Sequence, residues 1–370
     1  MKFRAAFIAA AIAAFVAAGW VLVRPPELPD YVTSNGKAGA DGRTGSTAAK
    51  LGAASVLSID LRNKAKSAAT PPPRRTLFNE YMRSKNYKAL YERLRTGPEG
   101  KTPEGEYVMY EILLHCATIT DRTTRQPRTP VVSEQKRDAF VASIPDNDPQ
   151  REKRIAAFDE VTANRCAGME GTTISQADLN KMLAEAAAGG DNKAQALSME
   201  QALYAQRRAA GPDGNWGRDS ITLSDSQVGQ LHQIAASGDG EAMMIAGRLL
   251  AGNWHDYQVQ IGSSGQPVEN RALNQAFQLL ACESGYPCDD SNPRIQAACA
   301  YQGHCNAQNL ADYIYYYGAS PNDSQLMSQY EGVLRNAIQT NNWSQVSVVR
   351  GQPDPVTPGL PGPRFIPPGP

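Results

Sequence analysis

The amino-acid sequence predicts an all-α protein made of stacked antiparallel helical hairpins, α-solenoid-like, and stapled by disulfides. Three observations support this fold class. Apolar residues between Thr76 and Thr118 recur at the spacing of one helix face. Sustained alternation of apolar and polar residues is lacking, as are Asn-Gly or Asp-Gly turns between β-branched runs. Six cysteines, an even number, offer covalent links between the helices.

Composition divides the 370 residues into five parts. The chain is long enough for two ordinary domains, but its start, the linker behind it and its tail are predicted to be non-globular. Lys plus Arg and Asp plus Glu each number 37, so no basic excess exists to neutralise phosphates, and we expect no nucleic-acid partner. The predicted parts are an anchor or signal peptide (1–24), a linker (25–75), N-terminal helical hairpins (76–170), a helical-repeat-like domain (171–349) and a tail (350–370).

The N-terminal segment predicts where the rest of the chain resides. Lys2 and Arg4 precede an apolar run from Ala5 to Val23, which is long enough to span a bilayer, a task for about 17–25 residues. The alternative is a signal peptide cleaved near Ala17-Ala18-Gly19, and a third interpretation is a buried core helix. The first two place the remainder outside the cytoplasm. We therefore expect a periplasmic or extracytoplasmic protein, anchored in the inner membrane by residues 5–23 or secreted after cleavage.

The linker and the tail are predicted to be disordered. Residues 25–75 are rich in Gly, Ala, Ser, Thr and Pro and mildly basic, which suits a flexible spacer and alternatively contact with anionic lipid or cell-wall polymer. The tail alternates Pro and Gly and has little to bury. Proline-rich ligands of aromatic grooves have the same composition, so the tail is either inert or such a ligand.

Helical spacing defines the first elements of the folded part. One apolar face runs from Leu77 to Leu94 and ends at Gly97-Pro98, and a second helix covers Glu104–Cys116. The short connection between them predicts an antiparallel hairpin. Two further helices are expected at residues 133–144 and 151–166. Ser175 then begins another helix, with Asp178 three residues later as in a capping box.

The next part of the sequence repeats one helix-to-helix turn, which we call the repeated corner. Residues 182–194 and 231–242 both read helix, Ala-Ala, Gly, Asp, two residues, Ala, helix, and a degraded third copy occupies 277–285. Small alanines let two helices approach closely, Gly supplies the positive φ that ends a helix, and Asp191 or Asp239 caps the next one.

This pattern resembles the corners of Sel1-like and tetratricopeptide-type helical repeats over Ser175 to about Gly318, although its period of about 48 residues is longer than theirs. The resemblance implies an α-solenoid-like stack with a concave surface that binds protein or peptide, and it implies no catalytic residue. The cysteine-rich part also resembles a segment of uncharacterised exported helical proteins of proteobacteria. In that segment a glycine lies between paired cysteines, as Gly285 and Gly303 do here.

The cysteines are expected to form disulfides, because the predicted compartment is oxidising. Locality along the chain favours Cys282–Cys288 and Cys299–Cys305, which leaves Cys116–Cys166 to join the two early hairpins. Crossed pairing of the last four residues (282 with 305, 288 with 299) is the main alternative. Structural zinc held by four cysteines with His304 is a further alternative, but zinc ligands are usually separated by two to four residues and both gaps here are five.

The sequence contains little that indicates an enzyme. His115 and Cys116 are adjacent on a helix and point about 100° apart, which does not suit a nucleophile pair. Glu104, Glu106 and Glu111 could supply carboxylates to a glycan hydrolase, which needs two of them across a cleft. Nucleophile-elbow, phosphate-loop, dinucleotide and zinc-protease motifs are lacking. We therefore assign no catalytic residue, no metal and no small-molecule cofactor.

An aromatic run is the remaining candidate. Tyr313, Tyr315, Tyr316 and Tyr317 cannot all face a core at 3.6 residues per turn, so at least one ring is expected at the surface, where Tyr favours interfaces. The alternative is a tyrosine-rich helix end packed on the disulfide-bonded corner. The sequence thus favours a helical binding or scaffold module with a protein or peptide partner in the cell envelope. A hydrolase of envelope glycan is the alternative.

Overall fold

The computed structural model of this chain describes residues 76–121, 134–209, 222–252, 254, 257–262 and 267–350. Within these residues the chain is mostly helical, which confirms the coarse fold class. The predictions for the anchor segment, the linker and the tail concern residues 1–75 and 351–370, which lie outside the described residues. No helix in the described ranges combines the length and the apolarity needed to cross a membrane.

The described part of the chain contains thirteen α-helices, two π-helical turns and four short strands. The helices of the first half are α1 (Leu77–Arg83), α2 (Tyr87–Thr96), α3 (Pro103–Cys116), α4 (Glu134–Ser143), α5 (Arg151–Asp159), α6 (Gln176–Ala188) and α7 (Asn192–Ala209). Those of the second half are α8 (Asp225–Ala236), α9 (Gly240–Leu250), α10 (Asn270–Glu283), α11 (Pro293–Gln302), α12 (Leu310–Tyr313) and α13 (Pro321–Thr340). The strands are β1 (Thr118–Thr120), β2 (Thr173–Ser175), β3 (Tyr257–Ile261) and β4 (Val346–Arg350).

The first predicted helix is wrong in one respect, because it is two helices. The chain leaves α1 at Ser84 and begins α2 after Asn86. The Ser84 hydroxyl both donates to the Asn86 carbonyl and accepts from the Asn86 N–H, while the Asn86 side chain accepts from the N–H of Ala89. Such local side-chain bonds compete with the helix and favour a cap. Polar residues therefore interrupt an apolar face that looks continuous in the sequence.

The other predicted boundaries agree with the structure more closely. The helix over 133–144 is α4, and the helix over 151–166 is α5 extended by the π-helical turn Glu160–Asn164. Ser175 caps α6, since its side chain accepts from the Asp178 N–H. The Asp178 carboxylate accepts from the Ser175 hydroxyl and not from its backbone N–H, so the capping box is incomplete.

Both repeated corners have the predicted geometry. Gly190 and Gly238 adopt φ values of 96° and 77°, a region that L side chains rarely occupy. Asp191 accepts from the Ala194 N–H at 2.9 Å, and Asp239 accepts from the Ala242 N–H at 3.0 Å. In the degraded third copy Gly285 also has a positive φ, 91°, but no Asp follows it.

One hydrophobic core contains residues from both predicted helical parts. It includes Tyr107 and Ile112 of α3, Leu179 of α6, Met243 of α9 and Phe277 of α10, all of them almost fully buried. Helix α3 packs on α6, α9 packs on α10, and α10 packs on α13. A smaller cluster around Phe158 and Cys299 joins α5 to α11.

The structure also contains strands that the sequence patterns did not predict. Strand β1 pairs with β2 in parallel, Ile119 lying opposite Ile174, and β3 pairs with β4 in antiparallel orientation from Tyr257–Arg350 to Ile261–Val346. Each strand has only three to five residues, and its partner is distant in sequence. Short strands of this kind leave no periodic signal and depend on what the helices bring together.

The three disulfides join the locally paired cysteines and not the crossed alternative. They are Cys116–Cys166, Cys282–Cys288 and Cys299–Cys305, and no described cysteine is free. Because all six sulfurs are bridged, none is a thiolate for zinc or for nucleophilic attack. Three disulfides are compatible with a location outside the cytoplasm.

Two glycines give a matched test of the α9–α10 packing. A Cβ on Gly247 would lie 2.3 Å from the Cβ of Phe277, whereas a Cβ on Gly229 in α8 meets nothing within 4 Å. We expect Gly247→Ala to lower the free energy of unfolding by about 1–3 kcal/mol through overpacking. Gly229→Ala should raise it by about 0.5–1 kcal/mol through helix propensity. Urea unfolding followed by circular dichroism measures both. Equal effects of the two substitutions would contradict the close helix contact.

Candidate functional site

The predicted tyrosine run is part of a larger aromatic surface at the end of α11. We name it the tyrosine corner and define it by the side chains of Tyr301, His304, Tyr313, Tyr316 and Tyr317. Three of these have the largest exposures in the group: 53% for Tyr301, 46% for Tyr316 and 40% for Tyr317. Among the described residues only two other large hydrophobic side chains are this exposed, Tyr204 and Val349.

A short covalent loop positions His304. Helix α11 ends at Gly303, whose φ of 74° lets the chain reverse, and the His304 N–H then donates to the Ala298 carbonyl. The next residue, Cys305, is bridged to Cys299 on the last turns of α11. The bridge closes a loop of few residues, so His304 has little freedom to leave its place.

The π-helical turn Ile314–Gly318 distributes the tyrosines. Its wider spacing directs Ile314 and Tyr315 inward and leaves Tyr316 and Tyr317 outside. The Tyr315 hydroxyl donates to Glu331 of α13 at 3.3 Å, and burial raises the pKa of Tyr315. The four predicted residues therefore differ in environment: Tyr315 packs in the core, Tyr313 is half-buried, and the other two are exposed.

The rings of the corner form a stack. The His304 ring lies 4.3 Å from that of Tyr317 with an angle of 18° between the planes, and the Tyr313 and Tyr317 rings are 6.4 Å apart at 28°. The Tyr313 hydroxyl donates to the Gln302 side chain at 3.0 Å. Stacked rings with a bonded hydroxyl lose less freedom on binding than single exposed side chains.

Tyr301 lies on the last turn of α11, within the loop that the Cys299–Cys305 bridge closes. Its ring meets Phe140 and Phe158 edge to face, with centroids 5.6 and 6.0 Å apart. Those two phenylalanines are themselves stacked at 4.1 Å, which joins α4 and α5 beneath the tyrosine. The sequence pattern gives Tyr301 no role and indicates His304 only as a possible zinc ligand. The signal that could have found them is the Cys299–Cys305 loop, which brings 301 and 304 to one corner.

The part of the sequence that carries these rings has few charged residues. Residues 301–317 contain a single Asp, no Glu, no Lys and no Arg, but several Asn and Gln. The Nδ1 atom of His304 is buried without a hydrogen-bond partner, and burial lowers the pKa of this imidazole. The ring is therefore neutral at physiological pH. A rigid, uncharged surface of Tyr and amide side chains is the composition of many protein-binding paratopes.

The carboxylates proposed for a hydrolase do not face each other across a cleft. Glu104 accepts from the Phe78 N–H, and its nearest cation is Lys193, 3.8 Å away. Glu111 lies further along α3 against Tyr107 and Glu241. Two cavities in the described ranges, of about 370 and 360 Å³, are lined by none of the three predicted glutamates.

A buried charged cluster lies beneath the repeated corners instead. The Lys193 ammonium is 3.0 Å from Asp191 and 2.8 Å from Asp239, and only 4% of its side chain is exposed. It also lies over the rings of Phe78 and Tyr107 at 5.8 and 5.6 Å, which adds cation–π attraction. Lys193 belongs to the first copy of the repeated corner, but nothing in its place along the sequence predicts that it is buried.

Two glutamates next to this cluster hold protons unusually tightly. Burial, reinforced by the neighbouring carboxylate of Glu241, raises the pKa of Glu111 to about 7. Burial likewise raises the pKa of Glu241 to about 7, and Asp239 adds to this. The Oε2 atom of Glu241 is buried without a hydrogen-bond partner among the described residues. Neither glutamate lines the cavities of about 370 and 360 Å³, and we assign both a role in stability.

The remaining histidines do not form a metal site. The Nε2–H of His115 donates to the Val161 carbonyl at 3.1 Å, and burial lowers the pKa of His115. His232 stacks on Trp343 at 4.1 Å, and burial lowers its pKa to about 4. His255 lies outside the described residues. The described ranges contain no group of three His, Cys, Asp or Glu side chains able to hold a metal ion.

Comparison with known proteins adds no relative. No protein-family model, no curated protein and no solved structure matches this chain. The resemblance to Sel1-like and tetratricopeptide-type repeats therefore stays a prediction.

The buried glutamates predict an inverted pH dependence. Because their folded pKa values lie above the ordinary value of about 4.5, the folded state binds more protons than the unfolded state between pH 4.5 and 7. Stability should thus fall as pH rises from 5 to 8. Glu111→Gln should remove part of this slope, on the order of 2 kcal/mol over the range. Urea unfolding at a series of pH values measures it. Glu92→Gln, on the exposed face of α2, is the control and should leave the slope unchanged.

Proposed function

We propose that this protein is a helical binding module that engages a protein or peptide partner through the tyrosine corner. The observation that carries the proposal is the exposure of Tyr301, Tyr316 and Tyr317, of which Tyr317 stacks on His304 and Tyr301 packs on two phenylalanines. Exposing such rings to water is unfavourable, and monomeric proteins seldom group them without a binding role. Tyr is also among the residues that most often dominate binding energy.

The surroundings of the corner favour a binding role over a catalytic one. Its rings are fixed by a disulfide-closed loop, by the Tyr313–Gln302 bond and by the packing of Tyr301 on two phenylalanines. Pre-organisation of this kind raises affinity, because less side-chain freedom is lost on association. The corner carries neither paired carboxylates nor a nucleophile with a base. The glycan hydrolase is the weaker alternative for that reason.

The location of the module follows the sequence-based interpretation. We propose that residues 5–23 hold the chain in the inner membrane or export it, and that residues 25–75 tether the helical part in the periplasm. Three disulfides support an oxidising compartment. A Sel1-like, solenoid-type stacking of the hairpins around the two repeated corners also belongs to this proposal.

Photo-crosslinking tests the binding role. In one sample Tyr316 is replaced by p-benzoyl-phenylalanine in the full chain, and in the matched control Tyr204, 44% exposed on α7, is replaced in the same way. Irradiation of intact cells should give a discrete adduct with one envelope protein from position 316 and none from position 204. Tyr317→Ala or Tyr301→Ala in the same chain should reduce the adduct about tenfold or more, as loss of a binding hot spot does.

Thermal unfolding serves as the folding control for the alanine variants. Both variants should unfold cooperatively with only a small loss of Tm, since each ring is about half exposed and leaves the core intact. Equal adducts from positions 316 and 204, or an adduct insensitive to both alanine substitutions, would contradict a specific binding surface.

A further inference from the structure

The Cys299–Cys305 bridge differs from the other two disulfides in its exposure to solvent. The four cysteines of those two bridges are each only 3% or 4% exposed. Cys299 is 8% exposed, and Cys305 is only partly buried. A dissolved thiolate must reach a sulfur atom before it can exchange with a disulfide, so access limits the rate. Cys305 is therefore the described cysteine at which a reductant meets the least shielding.

Loop size does not distinguish this bridge from its neighbour. Cys282–Cys288 and Cys299–Cys305 each join residues six positions apart, so loop closure stabilises the two by a similar amount. Their locations differ. Cys282 and Cys288 both belong to the main hydrophobic core, whereas Cys299 and Cys305 belong to the smaller cluster between α5 and α11.

We propose that the Cys299–Cys305 bridge is a redox switch of the tyrosine corner. The closed bridge holds the corner in its binding form, and reduction by a dithiol loosens it. This inference rests on the proposed function, because it concerns the regulation of the same surface.

The reaction is a two-step thiol–disulfide exchange. A thiolate of the dithiol reductant attacks Sγ of Cys305, which forms a mixed disulfide and breaks the S–S bond, and Cys299 leaves as a thiolate that takes up a proton from water. The second thiolate of the reductant then attacks its own half of the mixed disulfide. This step closes the disulfide of the reductant and frees Cys305, which is protonated in turn. Two electrons pass to the protein, and two thiols replace the bridge.

The bridge closes the loop that carries two members of the corner, Tyr301 and His304. After reduction, the His304 N–H can still donate to the Ala298 carbonyl at 3.2 Å, and its ring can still stack on Tyr317. The segment that follows His304 is then no longer tied to α11 by a covalent link. Reduction therefore widens the range of loop conformations, and more freedom has to be lost when a partner binds.

The helices beneath the corner do not depend on this bridge. Cys299 packs with Phe158 and Ala300, and in such a place a reduced cysteine behaves as a small apolar side chain. The Arg154 Nε–H donates to the Ala300 carbonyl at 2.9 Å, and Arg154 pairs with Asp148 at 2.7 Å. These contacts hold α5 on α11 without sulfur. Opening of the bridge is thus compatible with a folded and reoxidisable protein.

Partial reduction of the purified full chain tests the accessibility of the bridge. The folded protein is treated with a low concentration of dithiothreitol, free thiols are trapped with iodoacetamide, and mass spectrometry measures the alkylated fraction of each cysteine. Cys299 and Cys305 should be alkylated about tenfold or more faster than Cys282 and Cys288, the bridge of equal span. Equal rates for the two bridges, or no reduction of Cys299–Cys305 in the folded protein, would overturn the inference.

Hydrogen–deuterium exchange tests the loosening of the corner. In the selectively reduced protein, the amides of residues 303–309 should exchange about fivefold or more faster than in the oxidised protein, because local opening costs less free energy. The amides of α9 serve as the internal control and should exchange at an unchanged rate. A double variant with Cys299→Ala and Cys305→Ala should reproduce the faster exchange without reductant. Unchanged exchange over residues 303–309 in both samples would contradict the switch.

Photo-crosslinking in cells connects the switch to partner binding. Tyr316 is replaced by p-benzoyl-phenylalanine in the full chain, either with the bridge intact or with Cys299→Ala and Cys305→Ala. Loss of the bridge should reduce the envelope adduct about fivefold or more, because the corner is less pre-organised. Thermal unfolding of the purified double variant should remain cooperative, which separates a loosened corner from an unfolded chain.

Failure of the switch is distinguishable from failure of the proposed function. Equal adducts with and without the bridge would overturn the switch and leave the proposed function intact. Absence of any adduct when the bridge is intact would overturn the proposed function, and with it the switch of a binding surface, even if reduction of the bridge is selective.

Discussion

The buried ammonium of Lys193 is the interaction on which the arrangement of the helices depends. It contacts Asp191, which caps its own helix α7, and Asp239, which caps α9. Each carboxylate uses one oxygen for the cap and directs the other toward the lysine. Removing a charge from water is costly unless it is paired and bonded. The lysine is stable there only while both repeated corners are close, so it ties the two corners into one geometry.

The same cluster explains why the interior is not purely apolar. The rings of Phe78 and Tyr107 cover Lys193, which brings the N-terminal helices onto α7. Nearby, Arg248 of α9 makes a two-bonded ion pair with Glu200 of α7, at 2.7 Å for each bond. Two charged contacts, Lys193–Asp239 and Arg248–Glu200, thus join α7 to α9. The alanines of these helices offer little side-chain volume for apolar packing. Directional pairs of this kind specify one packing more narrowly than apolar contacts do.

The tyrosine corner obeys a different constraint. Its position comes from covalent and backbone geometry: the Cys299–Cys305 bridge, the left-handed Gly303 and the π-helical turn at Ile314–Gly318. None of these depends on the charged cluster. The fold therefore separates a part that holds the helices together from a part that presents rings to solvent, and the exposed rings can serve binding without a cost to the core.

The amino-acid sequence alone was enough to predict the local features. Helical spacing, the Ser175 cap, the Gly-Asp corners and the two short disulfides, Cys282–Cys288 and Cys299–Cys305, each depend on residues close in the chain. Features that join distant segments became visible only in the folded structure. Lys193 is buried, the short strands are paired, and His304 stacks on Tyr317. Those outcomes depend on desolvation and on packing between distant segments, and neither is encoded at any one position.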